Sequence, residues 1–307
     1  MKKSVYRGIV LVASIGLLAG CSQLKNDQTP TAPTLSVHGD GWTDPASTNF
    51  HGNTVRQLNW NMTFCKSCHG GNYAGGTAQT SCLTCHTQPN GPEACNTCHG
   101  TFNAPESNIA LWAPPRDVSG DTLTTSRGVG AHQAHLQATL GKPLQCQECH
   151  TVPAKVYVAG HLDSYPLPAK VVMNATLANL VSGSGTLVPH PAYDPAQLQC
   201  NNTFCHGNWQ VQKATAPANR QYIYTDSMIV GANYSPKWTG GVTQAACGSC
   251  HGLPPKGHLG YGTSELPLSS CGNAGCHAGV VDGNGNILDP TKHINGKIDY
   301  ESTERNF

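Results

Sequence analysis

The pattern of apolar and polar residues is sharpest at the beginning of the chain. Lys2, Lys3 and Arg7 precede an apolar run from Gly8 to Gly20. This run is shorter than the roughly 20 residues that cross a bilayer, and a basic start before a short apolar stretch is typical of a secretory signal peptide. We therefore predict a signal peptide over residues 1–20 and an exported protein.

The end of this signal carries a second pattern. It reads Leu18-Ala19-Gly20-Cys21, which resembles the lipobox of bacterial lipoproteins. The resemblance implies cleavage before Cys21 and lipid attachment to it; an ordinary secretory signal with a stray cysteine is the alternative. Ser22 follows instead of the Asp that retains enteric lipoproteins in the inner membrane, so we expect an outer-membrane lipoprotein on the periplasmic or cell-surface face. Residues 21–37 are predicted as the lipidated Cys and a polar, Thr- and Pro-rich tether.

Apolar positions beyond the tether form only short runs. VYVAG at 156–160 and AKVVMNA at 169–175 are β-like and predict a hairpin. GAHQAHL at 130–136 predicts a short helix. The sequence therefore favours short elements over long amphipathic ones.

Composition points the same way. The chain is 38% hydrophobic and 11% charged, with 34 Gly and 21 Pro, whereas a soluble domain usually has about 25% charged and nearly 50% apolar residues. We predict a mostly irregular, loop-rich fold with short helices and a few short strands, in which something other than side chains fills the core. The net charge of +1 without a basic stripe argues against nucleic acid as a partner.

The cysteine pattern indicates which group could occupy the core. Fourteen of the fifteen form pairs with a histidine directly after the second Cys, five as CxxCH and two as CxxxxCH. CxxCH is typical of c-type haem attachment, in which two thiols bind one haem and the next His binds its iron as the proximal ligand. We predict seven covalently bound haems c. The thioether residues are Cys65, Cys68, Cys82, Cys85, Cys95, Cys98, Cys146, Cys149, Cys200, Cys205, Cys247, Cys250, Cys271 and Cys276, and the proximal ligands are His69, His86, His99, His150, His206, His251 and His277.

Two other interpretations of the cysteines were weighed. Seven disulfides suit an exported protein but leave the adjacent histidines unexplained. Zinc sites use CxxC pairs without needing that His. Seven haems would leave about 40 residues of chain each, too few for separate domains, so we expect a multihaem cytochrome c fold whose core is the packed haem array.

Eight further histidines are candidates for the distal iron ligand. Seven haems with two His ligands each need seven of them. His132 and His135 lie three apart on one face of the predicted helix, so either they serve two neighbouring haems or one is structural. Met62, Met173 and Met228 are less favoured alternatives. The distal candidates are His38, His51, His132, His135, His161, His190, His258 and His293.

Motif spacing predicts the domain order. Residues 38–100 hold three haems, 101–130 form a connector, and 131–199 hold one haem and the possible hairpin. Residues 200–307 hold three haems on long, short and long motifs.

The chain resembles the CxxxxCH/CxxCH multihaem cytochromes of Geobacter-type metal-reducing bacteria. The similar pieces are NNTFCHGNW around Cys205, CGSCHGLPPKGH from Cys247 to His258, CGNAGCH from Cys271, KHINGKID around His293, and GAHQAHL…CQECHTVP…GHLD from Gly130 to Asp163.

This resemblance implies an exported electron carrier at the outer membrane or cell surface. The implied partners are other c-type cytochromes, an outer-membrane porin–cytochrome conduit and an extracellular acceptor such as a metal oxide. It also supports His132 or His135, His161, His258 and His293 as distal ligands.

We predict electron transfer and no enzymatic activity, because the histidine supply closes both faces of each iron. Two alternatives stay open. A multihaem reductase of nitrite, sulfite or a similar molecule would need one open haem site, and a subunit of a haem-lined filament would offer a spare His to its neighbour.

Overall fold

The computed structural model describes residues 37–162, 169–173, 177–182, 187–263, 266–273, 276–300 and 303–306. The predicted signal peptide, Cys21 and the tether up to residue 36 lie outside the described residues. Contacts divide the chain into two units, Met1–Leu58 and Asn59–Phe307; the module boundaries within the second unit stay a prediction. Within the described ranges, no helix combines the length and the apolar character that a bilayer crossing requires.

The α-helices of the described residues are one or two turns long. They are α1 (His51–Gln57), α2 (Lys66–His69), α3 (Cys95–Cys98), α4 (His132–Leu136) and α5 (Ser269–Asn273). Isolated helices of this length are unstable in water, so tertiary contacts must hold them. The predicted short helix in GAHQAHL is confirmed as α4.

Short 3₁₀ helices form most of the other turns. They span Thr63–Cys65, Gly76–Ala78, Cys82–Thr84, Gly91–Glu93, Ile109–Trp112, Cys146–Glu148, Phe204–His206, Lys213–Thr215, Ala218–Ile223, Val242–Ala245 and Pro290–Lys292.

The strands form three separate antiparallel ribbons. These are β1 (Ala192–Asp194) with β2 (Gln199–Asn201), β3 (Gln210–Gln212) with β4 (Met228–Val230), and β5 (Lys297–Tyr300) with β6 (Thr303–Asn306). The register pairs Tyr193 with Cys200, Val211 with Ile229 and Ile298 with Arg305. A two-stranded ribbon is marginally stable by itself, so each depends on its surroundings.

The predicted hairpin of VYVAG and AKVVMNA does not form in the described residues. Residues 156–160 are turns and bends, and 169–173 have no regular structure; residues 174 and 175 lie outside the description. The backbone groups that a hairpin would pair are engaged elsewhere, because Val172 N–H donates to the Cys149 carbonyl and the carbonyls of Val156 and Lys170 each accept from a histidine ring. The hairpin of this region is β1–β2.

Few apolar side chains of the described residues are buried, and several of them are alanines. They are Met62, Tyr73, Ala94, Ala104, Ala110, Val129, Met173, Ala178, Phe204, Ile229 and Val280. The loop-rich fold class predicted from composition is therefore confirmed.

Glycine allows close backbone approach where little side-chain volume separates the loops. Gly207 directly follows a motif histidine, has φ of +94°, and would place a Cβ 1.9 Å from the carbonyl oxygen of Cys250. Only glycine fits both requirements. This position brings the loop after Cys205 against the motif of Cys247 and Cys250.

Gly207→Ala is expected to lower the free energy of unfolding by about 2 to 5 kcal/mol, combining left-handed strain and overpacking. Gly262→Ala is the control, because Gly262 has φ of +75° and open space around it; its expected cost is about 1 to 2 kcal/mol. Denaturant titration of the haem-loaded protein, followed by haem absorbance, measures both. Equal costs would contradict the close approach at Cys250.

Candidate functional site

Three of the CxxCH motifs form a single closed helical turn. The backbone N–H of His86 donates to Cys82 O at 2.9 Å, that of His99 to Cys95 O at 3.0 Å, and that of His150 to Cys146 O at 2.9 Å. Residues three apart lie on one face of such a turn, so both thiols of a motif share a face and the histidine follows at the end of the turn.

The remaining short motifs differ in detail. Cys65 caps helix α2, which contains Cys68 and His69 and ends at Gly70 with φ of 82°, where helices favour glycine. The motif of Cys247 and Cys250 forms a non-helical turn with Gly248 at φ of 91°. Both arrangements keep the two cysteines within one turn of chain.

The longer motifs accommodate their two extra residues in different ways. His277 N–H still donates to Cys271 O at 3.0 Å, although five residues lie between the two. Cys200 instead lies in strand β2, and Phe204–His206 forms a separate turn. Residues 274 and 275 of the last motif lie outside the described residues.

None of the fourteen motif cysteines, all of them within the described residues, is joined to another cysteine by a disulfide. The disulfide interpretation therefore has no support in the structure. Among the described residues, no group of three or more His, Cys, Asp and Glu side chains could hold a metal ion, and a zinc site of Cys and His would require such a group.

Successive motifs lie close enough for their thiols to interact. Burial, with a contribution from the Cys200 thiol, raises the pKa of Cys149 to about 12. Burial also raises the pKa of Cys146, where Cys95 of the preceding motif adds to the rise.

Two more pairs of motifs are joined in this way. Burial raises the pKa of Cys82, with a contribution from Cys65, and it raises the pKa of Cys271, with a contribution from Cys247. Motifs that follow each other in the sequence are thus neighbours in space at several points within residues 59–307.

Four motif histidines each face a second histidine, and the distance between the two ring centroids is nearly the same in all four pairs. The ring centroids lie 6.2 Å apart for His99 and His161, 6.3 Å for His150 and His132, 6.2 Å for His206 and His135, and 6.4 Å for His251 and His293. Each second histidine is one of the predicted distal candidates.

This distance fits a metal between the two rings. A histidine nitrogen binds a first-row metal at about 2 Å, and the ring centroid lies about 1 Å beyond the nitrogen, so two histidines on opposite sides of one metal have centroids about 6 Å apart. The observed 6.2 to 6.4 Å match that separation. The residues present therefore fit a haem iron held between two imidazoles.

A fifth motif histidine is near another candidate. Burial lowers the pKa of His258, and the charge of His277 lowers it further. His258 is thus within electrostatic range of the last motif histidine.

Hydrogen bonds fix the tautomer of most of these rings. In ten histidines Nδ1 lies within hydrogen-bond range of a peptide carbonyl, which can only accept, so Nδ1 carries the proton and Nε2 keeps the lone pair that a metal needs. Typical distances are 2.9 Å from His150 Nδ1 to Lys170 O and 2.8 Å from His277 Nδ1 to Asp299 O. The ten are His51, His69, His132, His135, His150, His161, His251, His258, His277 and His293.

Helix α4 places its two histidines opposite different motifs. His132 faces His150 and His135 faces His206, an arrangement that agrees with the alternative of two neighbouring haems; the role of the two as distal ligands stays a prediction. One short helix therefore reaches the single motif of the predicted 131–199 module and the first motif of the 200–307 module.

Trp238 was not recognised as a site residue from the sequence. Its ring stands edge-on to His132 at 4.8 Å and stacks on His135 at 6.0 Å, and its Nε1 donates to Arg127 O at 2.8 Å. A Cβ on Gly130 would lie 1.9 Å from Trp238 Nε1. The glycine that opens GAHQAHL was the available signal, but nothing in the sequence shows which distant residue it accommodates.

Motif histidine His99 lies near two other histidines. Burial lowers its pKa, as do the charges of His161 and His150. Its side chain is nevertheless solvent-accessible.

The remaining candidates are described by their own local contacts. His38 and His51 belong to the first unit, where the His38 ring stacks on Trp42 at 4.2 Å and His51 Nδ1 donates to Trp42 O at 2.8 Å. His190 is exposed and belongs to none of the four ring pairs. Met62 and Met173 are buried among the apolar side chains.

Comparison with known families now locates one part of the chain. Residues 199–251 match the family described as Geobacter CxxxxCH...CXXCH motif, about a sixth of the chain. No curated protein and no solved structure matches. The predicted resemblance is confirmed over this segment, which carries the covalent haem c attachment motif of multihaem cytochromes.

The Cys200→Ser, Cys205→Ser double variant is expected to bind one haem fewer than the wild type, because both thioether positions of that site are lost. Asn201→Ala within the same motif keeps both thiols and should keep every haem. Mass spectrometry of the purified proteins counts the haems directly. An unchanged count in the double variant would contradict covalent attachment there.

Proposed function

We propose that this chain is a seven-haem c-type cytochrome that carries electrons at the outer membrane or cell surface towards extracellular acceptors such as metal oxides. The observation that carries the proposal is the pairing of motif histidines with second histidines at 6.2 to 6.4 Å. An iron closed on both faces by imidazole exchanges electrons without offering a place for a substrate.

The proposal assigns five distal ligands. They are His161 opposite His99, His132 opposite His150, His135 opposite His206, His293 opposite His251, and His258 opposite His277. Haem would supply the reversible one-electron couple of its iron. The chain orients eight of these ten rings through Nδ1–H donated to a peptide carbonyl, which leaves Nε2 for the metal.

The order of the sites supports an electron path. The thiol interactions join the first motif to the second, the third to the fourth, the fourth to the fifth and the sixth to the seventh. Gly207 against Cys250 O joins the fifth to the sixth. Asn103 donates its side-chain N–H to Cys85 O at 2.6 Å, and its neighbour Ala104 accepts from Asn96 of the third motif at 2.9 Å, which joins the second to the third.

The location is proposed from the sequence. A lipid on Cys21 would hold the chain at the outer membrane, where other c-type cytochromes or a porin–cytochrome conduit would donate electrons. The tether would give the haem-binding region reach from that surface.

The oxidised wild-type protein is expected to show only low-spin ferric iron by electron paramagnetic resonance, because the proposal gives every iron two histidine ligands, with five distal ligands assigned above and two taken from the remaining candidates. Dithionite-reduced protein should be reoxidised by ferric oxide and show no turnover of nitrite or sulfite. A high-spin signal equal to one haem would contradict the pure carrier and favour the reductase.

His135→Ala is expected to convert one haem to high spin with an unchanged haem count, because the His206 side of that iron keeps its ligand. His190→Ala is the matched control and should leave the spectrum unchanged. The same measurement on both variants tests the distal assignment, which fails if His190→Ala is the variant that creates the high-spin signal.

Cys21→Ser is expected to abolish labelling by radioactive palmitate and to release the haem-loaded protein from outer-membrane fractions. Ser22→Ala, one residue away, should leave both properties intact. Membrane retention of an unlabelled Cys21→Ser protein would contradict the lipid anchor.

A further inference from the structure

The histidine pair at the sixth motif differs from the other three in the orientation of its rings. The planes meet at 20° for His135 and His206, at 22° for His132 and His150, and at 30° for His99 and His161. The planes of His251 and His293 meet at 77°. Three pairs are thus close to parallel and one is crossed.

The crossed orientation follows from where each ring is held. His251 Nδ1 donates to the carbonyl of the next residue, Gly252, at 2.8 Å, so its rotation is set inside its own turn. The Trp209 ring, 6.1 Å away and tilted by 56°, lies beside it.

The opposite ring is held by a distant part of the chain. His293 Nδ1 donates to the carbonyl of Leu140, in the segment that follows helix α4. Two acceptors in unrelated segments therefore fix the two rings, and the 77° angle does not come from contact between them.

Ring orientation acts on the electrons of a bound iron. The π electrons of an imidazole overlap the iron d orbital that lies perpendicular to the ring plane. Two parallel rings raise the energy of the same d orbital and separate it from the second d orbital of π symmetry. Crossed rings raise one of these two orbitals each, so the two stay similar in energy. Ferric low-spin iron has one vacancy in this set, and raising one orbital stabilises that vacancy, so parallel rings favour the ferric form.

We propose that the site of Cys247, Cys250, His251 and His293 is an electronically distinct site with a higher reduction potential than the neighbouring parallel sites. The inference rests on the proposed function. It adds a difference in reduction potential between this site and its neighbours, which would regulate where an electron is held. An electron arriving from a parallel site reduces this iron from ferric to ferrous, one electron for one, and is held there more strongly. The chain would thus place an energy step at its sixth haem, between two CxxxxCH motifs.

Electron paramagnetic resonance of the ferric wild-type, His293→Ala and His135→Ala proteins tests this proposal. Crossed rings give a strongly anisotropic low-spin signal with a single low-field feature, and parallel rings give a rhombic signal. We expect His293→Ala to lose an anisotropic signal equal to one haem and His135→Ala to lose a rhombic one. In a potentiometric titration of the wild type, the signal lost in His293→Ala should disappear at higher potential than the signal lost in His135→Ala.

Loss of a rhombic signal in His293→Ala, or the reverse order of potentials, would overturn the proposal. A different result would contradict the proposed function itself. In that case neither His293→Ala nor His135→Ala would alter any low-spin signal. If His293→Ala does not incorporate haem, Gly141→Ala decides the question, because its Cβ would press on His293 O at 3.3 Å and on Ile294 Cβ at 3.4 Å. A shift of the anisotropic signal alone supports the crossed pair, and an unchanged spectrum contradicts it.

Discussion

The structure depends on one constraint, which is that the chain has too little apolar side-chain volume to build its own core. Several of the few buried apolar residues are alanines, and the helices and ribbons are too short to be stable alone. Order must therefore come from many local attachments. The Cys–Cys–His turns recur at intervals along residues 65–277, and covalent haem at these turns, as proposed above, would supply such attachments.

The histidines that face the motif histidines connect neighbouring Cys–Cys–His motifs. Helix α4 contributes one ring to the fourth motif and one to the fifth, and Trp238 contacts both rings. The segment after α4 supplies the Leu140 carbonyl that orients His293, the partner of the sixth motif. The stretch from His132 to Leu140 thus contacts histidines on both sides of a predicted module boundary, so the structure shows contacts that cross this boundary.

The sequence predicted the features that depend on neighbouring residues. It failed for the features that depend on contacts between distant parts of the chain. The motif cysteines, the adjacent histidines, the α4 helix and the loop-rich character follow from residue types within a few positions of each other. The hairpin prediction was wrong because the carbonyls of Val156 and Lys170 bind histidine rings, a use that β-propensity cannot reveal. Likewise, His293 receives its acceptor from Leu140, 153 residues away, and no spacing rule identifies that partner or the 77° angle that results.

The identity of the ring acceptors has a consequence for how the protein meets its surroundings. Ten histidines donate Nδ1–H to peptide carbonyls, and a peptide group, unlike a carboxylate, does not ionise over the ordinary range of acidity. The acceptors that hold these ten rings therefore stay the same in acidic and in alkaline medium. In the proposed cytochrome, any coupling of iron reduction to proton uptake would enter through other groups.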